Sequence, residues 1–479
     1  MGVRFLICTK RAAVCNTRDV LDDKNLRSQS PVALHSRPRQ KSRTGGKTQR
    51  AGLAALHRRG YLPPPMSPPI RHDPYASLRI RNFRWFISSL LAMTVATQIQ
   101  AVVVAWQIYE LTHDPLSLGL IGLAEAVPFI GLALFAGHVA DRRSRLRISL
   151  MSLAALLLCS LALLSFTLRP GIITVGRVWP IYAVIFISGV ARSFLQPARS
   201  ALGAELVPRE LYPNAVTWRS STWQLAEVVG PAIGGLVYGF GSARAAYGLD
   251  AALMMVGVAS LARVRQPPRA APLSSESFAE SLATGIRFVR SQPVILSALT
   301  LDLFSVLFGG AVALLPVFAA EILFVGPQGL GILRAAPAVG AVLMSLAMAH
   351  RPPLRRAGRT LLVSVTLFGL SMIGFGLSRD FLLSIALLAV SGMADTVSVV
   401  VRSTLLQVLT PDHLLGRVAA VNAIFIGSSN EIGAFESGTA AKLLGTVPSV
   451  VLGGLATLVV VAVTAVKVPE LRRLREIRS

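Results

Sequence analysis

Seven ionisable side chains sit inside stretches that are otherwise apolar: Glu125, Arg192, Glu227, Asp302, Asp395, Glu431 and Glu436. A charged group at bilayer depth costs roughly 2.5–3.5 kcal/mol or more, so it survives there only against a partner or a water-filled cavity. A carboxylate drawn away from water favours its neutral form, which suits it to take up and release a proton. Glu125 and Asp302 lie well inside their apolar runs and are the preferred proton carriers, with Arg192 as counter-charge. Asp395 and Arg402 are seven residues apart on one helix face, so a structural pair is the plainer reading for them. Thr97, Gln100 and Gln107 form a polar stripe that could contact a solute or simply bond between helices.

Other chemistries lack their residues. The three cysteines are Cys8 and Cys15 in a polar tail and Cys159 in an apolar run, so neither a disulfide framework nor a metal site is implied. There is no Gly-x-x-x-x-Gly-Lys-Ser/Thr loop for nucleotide phosphates, no bound cofactor is expected, and the apolar runs hold no convergent catalytic set.

The elements that position these residues are set by composition. The 479 residues are 53% hydrophobic and 15% charged, where a soluble protein carries about 25% charged residues. Mean hydropathy is +0.60. Twelve runs are long enough for a spanning helix: 84–109, 117–138, 147–168, 178–203, 213–239, 245–264, 294–321, 327–349, 360–377, 381–407, 414–440 and 447–467. The fifth and eleventh are weak, since one holds Arg219, Gln224 and Glu227 and the other Asn422, Asn430, Glu431 and Glu436. The net charge of +25 would suggest nucleic acid in a soluble protein. Here the arginines gather in the tails and in the loops after the second, fourth, sixth and eighth runs, which places both termini in the cytoplasm and leaves no role for nucleic acid.

Residues 1–75 are rich in Arg, Lys, Ser and Pro and read as a disordered basic extension, or as sequence preceding a true start at Met66. The rest repeats itself. Leu206-Val-Pro208 matches Leu409-Thr-Pro411, Gly230 matches Gly433 and Gly235 matches Gly438, all 203 residues apart. The expected organisation is therefore a six-helix half over 76–264, a linker over 265–293 with an amphipathic surface helix from Phe278, a second half over 294–468 and a basic tail over 469–479.

Between the second and third runs stands Gly137-His-Val-Ala-Asp141-Arg142-Arg-Ser-Arg145-Leu-Arg147. This stretch resembles the loop between the second and third helices of the major facilitator superfamily. Gly230-Pro231-Ala-Ile-Gly234-Gly235 on the fifth run resembles the bend motif typical of that superfamily's antiporters. Gly122-Leu-Ala-Glu125-Ala-Val-Pro128, Asp302-Leu-Phe with Gly309-Gly310, and Gly416-Arg417 through Asn422 to Glu436-Ser-Gly438 are similar to its branch of enterobactin-type siderophore exporters and macrolide efflux proteins, the transmembrane secretion effector type.

The resemblance implies an all-α membrane protein of twelve helices in two pseudo-symmetric halves, multi-pass in the plasma (inner) membrane and acting as a monomer. It implies a secondary transporter that exchanges protons for a small amphipathic molecule, with a nutrient importer of the same fold, or a non-transporting sensor, as rivals. Gly137, Asp141, Arg142 and Arg145 would form a cytoplasmic latch, with Asp141 near the start of the eleventh helix. Gly230, Pro231, Gly234 and Gly235 would bend and pack the fifth. Glu125, Asp302, Arg192, Glu227, Asp395 and Gln100 are the proton and substrate candidates. The second half departs from the pattern, because its counterpart of the latch, Ala349-His350-Arg-Pro-Pro-Leu-Arg355-Arg356, lacks the glycine and the aspartate.

Overall fold

The computed structural model describes residues 73–169, 171–265, 278–309, 311–350 and 356–473. The basic extension before residue 73, much of the linker, most of the 349–356 loop and the end of the tail lie outside the described residues, as does the side chain of Asp141. The described chain is almost entirely helical. Its long helices are α1 (Arg81–Thr112), α2 (Pro115–Arg142), α3 (Arg145–Leu168), α4 (Trp179–Glu205), α5 (Tyr212–Phe240), α6 (Ala243–Ala262), α7 (Pro293–Phe308), α8 (Gly326–Ala349), α9 (Ala357–Leu377), α10 (Phe381–Leu409), α11 (Leu415–Leu444) and α12 (Thr446–Lys467).

Local chemistry sets these boundaries. Asp114 caps α2 by accepting from Leu116 N, with Pro115 at the first helical position, and Asp380 caps α10 by accepting from Leu383 N. Ser144 and Ser242 do the same for α3 and α6. By length and composition, eleven helical stretches among the described residues can cross a membrane. The remaining long helix, α5, has 29 residues but is less apolar because of Arg219, Gln224 and Glu227. The run expected as one helix over 294–321 is broken. α7 stops at Gly309, and the chain resumes as a 3-10 turn over Ala311–Leu314, a short α-turn and a π-turn over Phe318–Ile322.

Packing follows the same plan twice. α1 lies against α5 and α6, α2 against α4, and α3 against α4 and α6. Likewise α7 lies against α11 and α12, α8 against α10, and α9 against α10 and α12. Outward faces of α3, α9 and α12 present Met151, Leu158, Val363, Leu370, Val459 and Val466, each at least half exposed. In water such a surface would drive aggregation; in a bilayer the lipid covers it. The amphipathic helix Phe278–Ser291 buries Val289, and a Cβ at its Gly285 would lie 2.8 Å from the Arg417 carbonyl at the start of α11.

The two sets of helices meet along α2 with α11 and α5 with α8. Glycine makes the approach possible at the end where α1 finishes and α2 begins. A Cβ on Gly438 would lie 2.7 Å from Gly119 Cα, and one on Gly122 would lie 2.7 Å from Ala434 Cβ. A Cβ on Gly235 would lie 2.5 Å from the Pro327 carbonyl oxygen, and one on Gly331 2.5 Å from that of Pro231. Lys442 pairs with Asp114 at 2.7 Å across the same seam, and the Tyr109 hydroxyl donates to Glu321. This end is sealed by backbone contact. Gly235→Val is therefore expected to carry an overpacking penalty of about 1–3 kcal/mol in the sealed arrangement. The check is cross-linking of an Asp114→Cys, Lys442→Cys pair with a short bifunctional thiol reagent, whose yield should fall about tenfold in the Gly235→Val background.

Candidate functional site

Just inside the seal, four charged side chains from four helices converge. Glu125 on α2 forms an ion pair with Arg192 on α4, within the first set of helices. Glu431 on α11 interacts electrostatically with Glu125, Arg192 and Arg334. Arg334 on α8 in turn feels Glu431, Glu125 and Glu227. Two acids and two arginines thus face one another across the seam, one of each from either set. Glu227 on α5 accepts a hydrogen bond from Trp223 Nε1 at 2.6 Å and lies within the electrostatic reach of Asp395 on α10.

Helix geometry explains why these residues meet. Glu125 stands one turn beyond Gly122, whose missing side chain lets α2 touch α11 at the carbonyl of Glu431. Pro128 packs against Gly189, where a Cβ would lie 2.7 Å from the proline ring. That contact brings α4 against α2 one turn before Arg192. The G-P-x-x-G-G stretch serves both neighbours of α5. Gly230 and Gly234 face Gln98 and Ile99 of α1, while Pro231 and Gly235 face Gly331 of α8. Small residues let membrane helices approach this closely.

Other expected residues go elsewhere. Asp302 forms an ion pair with Arg402 in the interior of the second set, their side chains 9% and 3% exposed. Arg402 is therefore not the partner of Asp395, and the seven-residue spacing did not reveal the acid one helix away. Asp302, Asp395, Ser305 and Ser398 line a small cavity between α7, α9 and α10. Of the polar stripe on α1, Thr97 donates to its own helix at Met93, Gln107 accepts from the Tyr247 hydroxyl at 2.8 Å, and Gln100 is 8% exposed. In the loop after α2, Arg145 pairs with Glu205 at the end of α4 at 2.6 Å, so this arginine ties the loop to its own set. Gly137 and Asp141 fall in the last turns of α2, and Arg142, its last residue, is exposed.

Two functional candidates were missed. Arg334 completes the four-charge cluster. Asp250 on α6 is 0% exposed, and neither carboxylate oxygen has a hydrogen-bond partner among the described residues. Each is a lone charge in an apolar run, the signal that selected Glu125, so the sequence did hold the clue. Among the described residues no group of three or more His, Cys, Asp or Glu side chains could hold a metal ion.

A family model described as transmembrane secretion effector matches residues 72–478. The enterobactin exporter EntS of Shigella flexneri is 28% identical over 399 residues, covering 82% of this chain and 93% of that protein. The enterobactin exporter EntS of Escherichia coli (strain SMS-3-5) gives the same identity and coverage. A POT family transporter solved with 5-aminolevulinic acid superposes with a TM-score of 0.66 at 13% identity, over 82% of this chain and 97% of that one. The nucleoside transporter NupG superposes with a TM-score of 0.63 at 12% identity, over 81% of this chain and 99% of that one. These two structures share the fold.

Proposed function

The chain belongs to the transmembrane secretion effector family, and from that premise we propose that this multi-pass membrane transporter is a proton-coupled exporter of a small amphipathic molecule. The two sets of helices act as halves that rock about the four-charge cluster, in the inner membrane with both termini cytoplasmic, where the basic loops belong. The observation that carries this reading is the Glu125–Arg192 ion pair set beside Glu431 and Arg334 at the seam.

The exchange works through the charges of this chain. With Glu125 ionised, Arg192 is held by its own half. A proton on Glu125 removes that attraction and also the repulsion between Glu125 and Glu431 across the seam. Relief of that repulsion favours the sealed arrangement, while bound solute favours its opening, so solute and proton oppose each other's binding and a solute arriving in one state and a proton arriving in the other alternate. Asp302 serves the structure, because its charge is spent on Arg402 within one half. Similarity to the enterobactin exporters favours export, with a siderophore or drug as cargo.

The test is proton release on solute binding. Purified protein in weakly buffered detergent, with a pH-sensitive dye, is mixed in turn with a macrolide, a catecholate siderophore and a cationic dye. A solute that binds should release protons in the wild type and release at least tenfold fewer in Glu125→Gln. Solute binding with no proton movement in the wild type would refute the coupling.

A further inference from the structure

Two arginines in the first half carry positive charge that no acid among the described residues neutralises. Arg199 on α4 and Arg219 on α5 take part in none of the ion pairs among the described residues. Arg199 lies over the Trp223 ring, 5.4 Å from its centroid, and its nearest hydrogen-bonding partner is the Met93 sulfur at 3.7 Å. Arg219 lies over Phe86 at 6.0 Å and reaches the Ser200 carbonyl only at 3.5 Å. The charges that act on Arg199 are two more arginines, Arg219 and Arg192.

The second half shows how the same position can be settled internally. Arg402 follows Arg199 by 203 residues, the offset that aligns Gly230 with Gly433 and Gly235 with Gly438. Arg402 is neutralised by Asp302, nine residues after the first residue of α7. Nine residues after the first residue of α1 stands Leu90, which lines the cavity around Arg199 together with Phe86 and Met93. The first half keeps the arginine and replaces its counter-ion with leucine. A guanidinium at membrane depth without a counter-charge is costly, and a like charge beside it adds to the cost. An incoming anion relieves both.

The position suits a solute. Arg219, Trp223, Glu227, Pro231 and Gly235 recur every four residues along one stripe of α5. At the sealed end the stripe lies on α8, through Pro231 and Gly235. Further along, Glu227 joins the central charges and Trp223 is 39% exposed. The stripe therefore winds from the seal past the four-charge cluster to the partly exposed Trp223 ring, and on to Arg219, which lies against Phe86, Ser200 and Gly203 of the first half.

We propose that Arg199 and Arg219, with the Trp223 ring, form the recognition site for an organic anion, so that the exported molecule carries an anionic group and an aromatic or apolar body. This rests on the exporter reading above and names the solute class. The anionic group sits on the two guanidiniums, which offer paired donors to an oxyanion, and the ring lies against Trp223.

The test uses two dyes of similar size and opposite charge, carboxyfluorescein and rhodamine 6G, with binding to purified protein followed by fluorescence anisotropy. The wild type should favour the anion. Arg199→Gln should weaken anion binding at least tenfold and leave the cation unchanged. Leu90→Asp, which supplies from α1 the acid that Asp302 supplies from α7, should do the same with both arginines in place, and Arg199→Lys should retain part of the affinity. Equal binding of both dyes to the wild type, a loss of less than tenfold in Arg199→Gln, or equal loss for both dyes would overturn the proposal. If the wild type binds the anion by these residues but vesicles show no transport, the exporter reading fails and the anion site stands.

Discussion

Asp302→Asn is expected to destabilise the protein more than any other single substitution of a membrane-embedded acid. It leaves the Arg402 side chain, 3% exposed, in the interior of the second half without a counter-charge. Removing one partner of a buried ion pair costs about 3–5 kcal/mol, against total stabilities of about 5–15 kcal/mol. The detergent-purified variant should lose roughly 5–10 °C in apparent melting temperature, or fail to elute as a single species. Arg402→Leu should be milder, because the orphaned Asp302 can neutralise itself by taking a proton, which an orphaned arginine cannot do by losing one. The double change Asp302→Leu, Arg402→Leu should recover most of the loss, since a buried pair replaced by apolar residues is often neutral or stabilising. A melting temperature of Asp302→Asn equal to the wild type would show that this pair does not hold the second half together.

Glu125→Gln is expected to have the largest functional effect while preserving the fold. The amide keeps the shape and a hydrogen-bond acceptor for Arg192 but removes the negative charge and the proton-binding group. In proteoliposomes, solute exchange at equal pH on both sides should continue, because exchange needs solute binding and rocking alone. Accumulation driven by a pH gradient should fall at least tenfold. Arg192→Gln should differ. It leaves Glu125 without its partner and facing Glu431 across the seam, so both exchange and driven accumulation should fall. If the two variants behaved alike, the pair would be a packing feature and not the coupling element.

Much of this molecule was legible in its sequence, because a bilayer imposes lengths that hydropathy reports directly. Eleven of the twelve apolar runs became single helices with ends shifted by at most four residues, as in the expected 84–109 and the observed Arg81–Thr112. The break after Phe308 was not legible, since Gly309 and Gly310 lie in a run whose apolar character never falters. Charges at membrane depth were visible one by one, but their partners were not. Helical spacing tells which residues share a face of one helix; it cannot tell that Arg402 turns from Asp395 to Asp302 on a neighbouring helix. Gln107 turned likewise to Tyr247 on α6 and away from its expected stripe. The 203-residue offset proved more informative than any single motif, because it sets Arg199 beside Arg402 and so shows which of the two lacks a counter-ion.

The central claim is that this family member drives solute out against the proton gradient through Glu125. It is tested most directly in inverted membrane vesicles, with a pH gradient imposed in either direction and uptake of a fluorescent solute followed over time. The account predicts accumulation when the vesicle interior is acidic, its collapse on addition of a protonophore, and at least a tenfold lower level in Glu125→Gln. Accumulation that persists unchanged without the gradient, or that requires an alkaline interior, would contradict it.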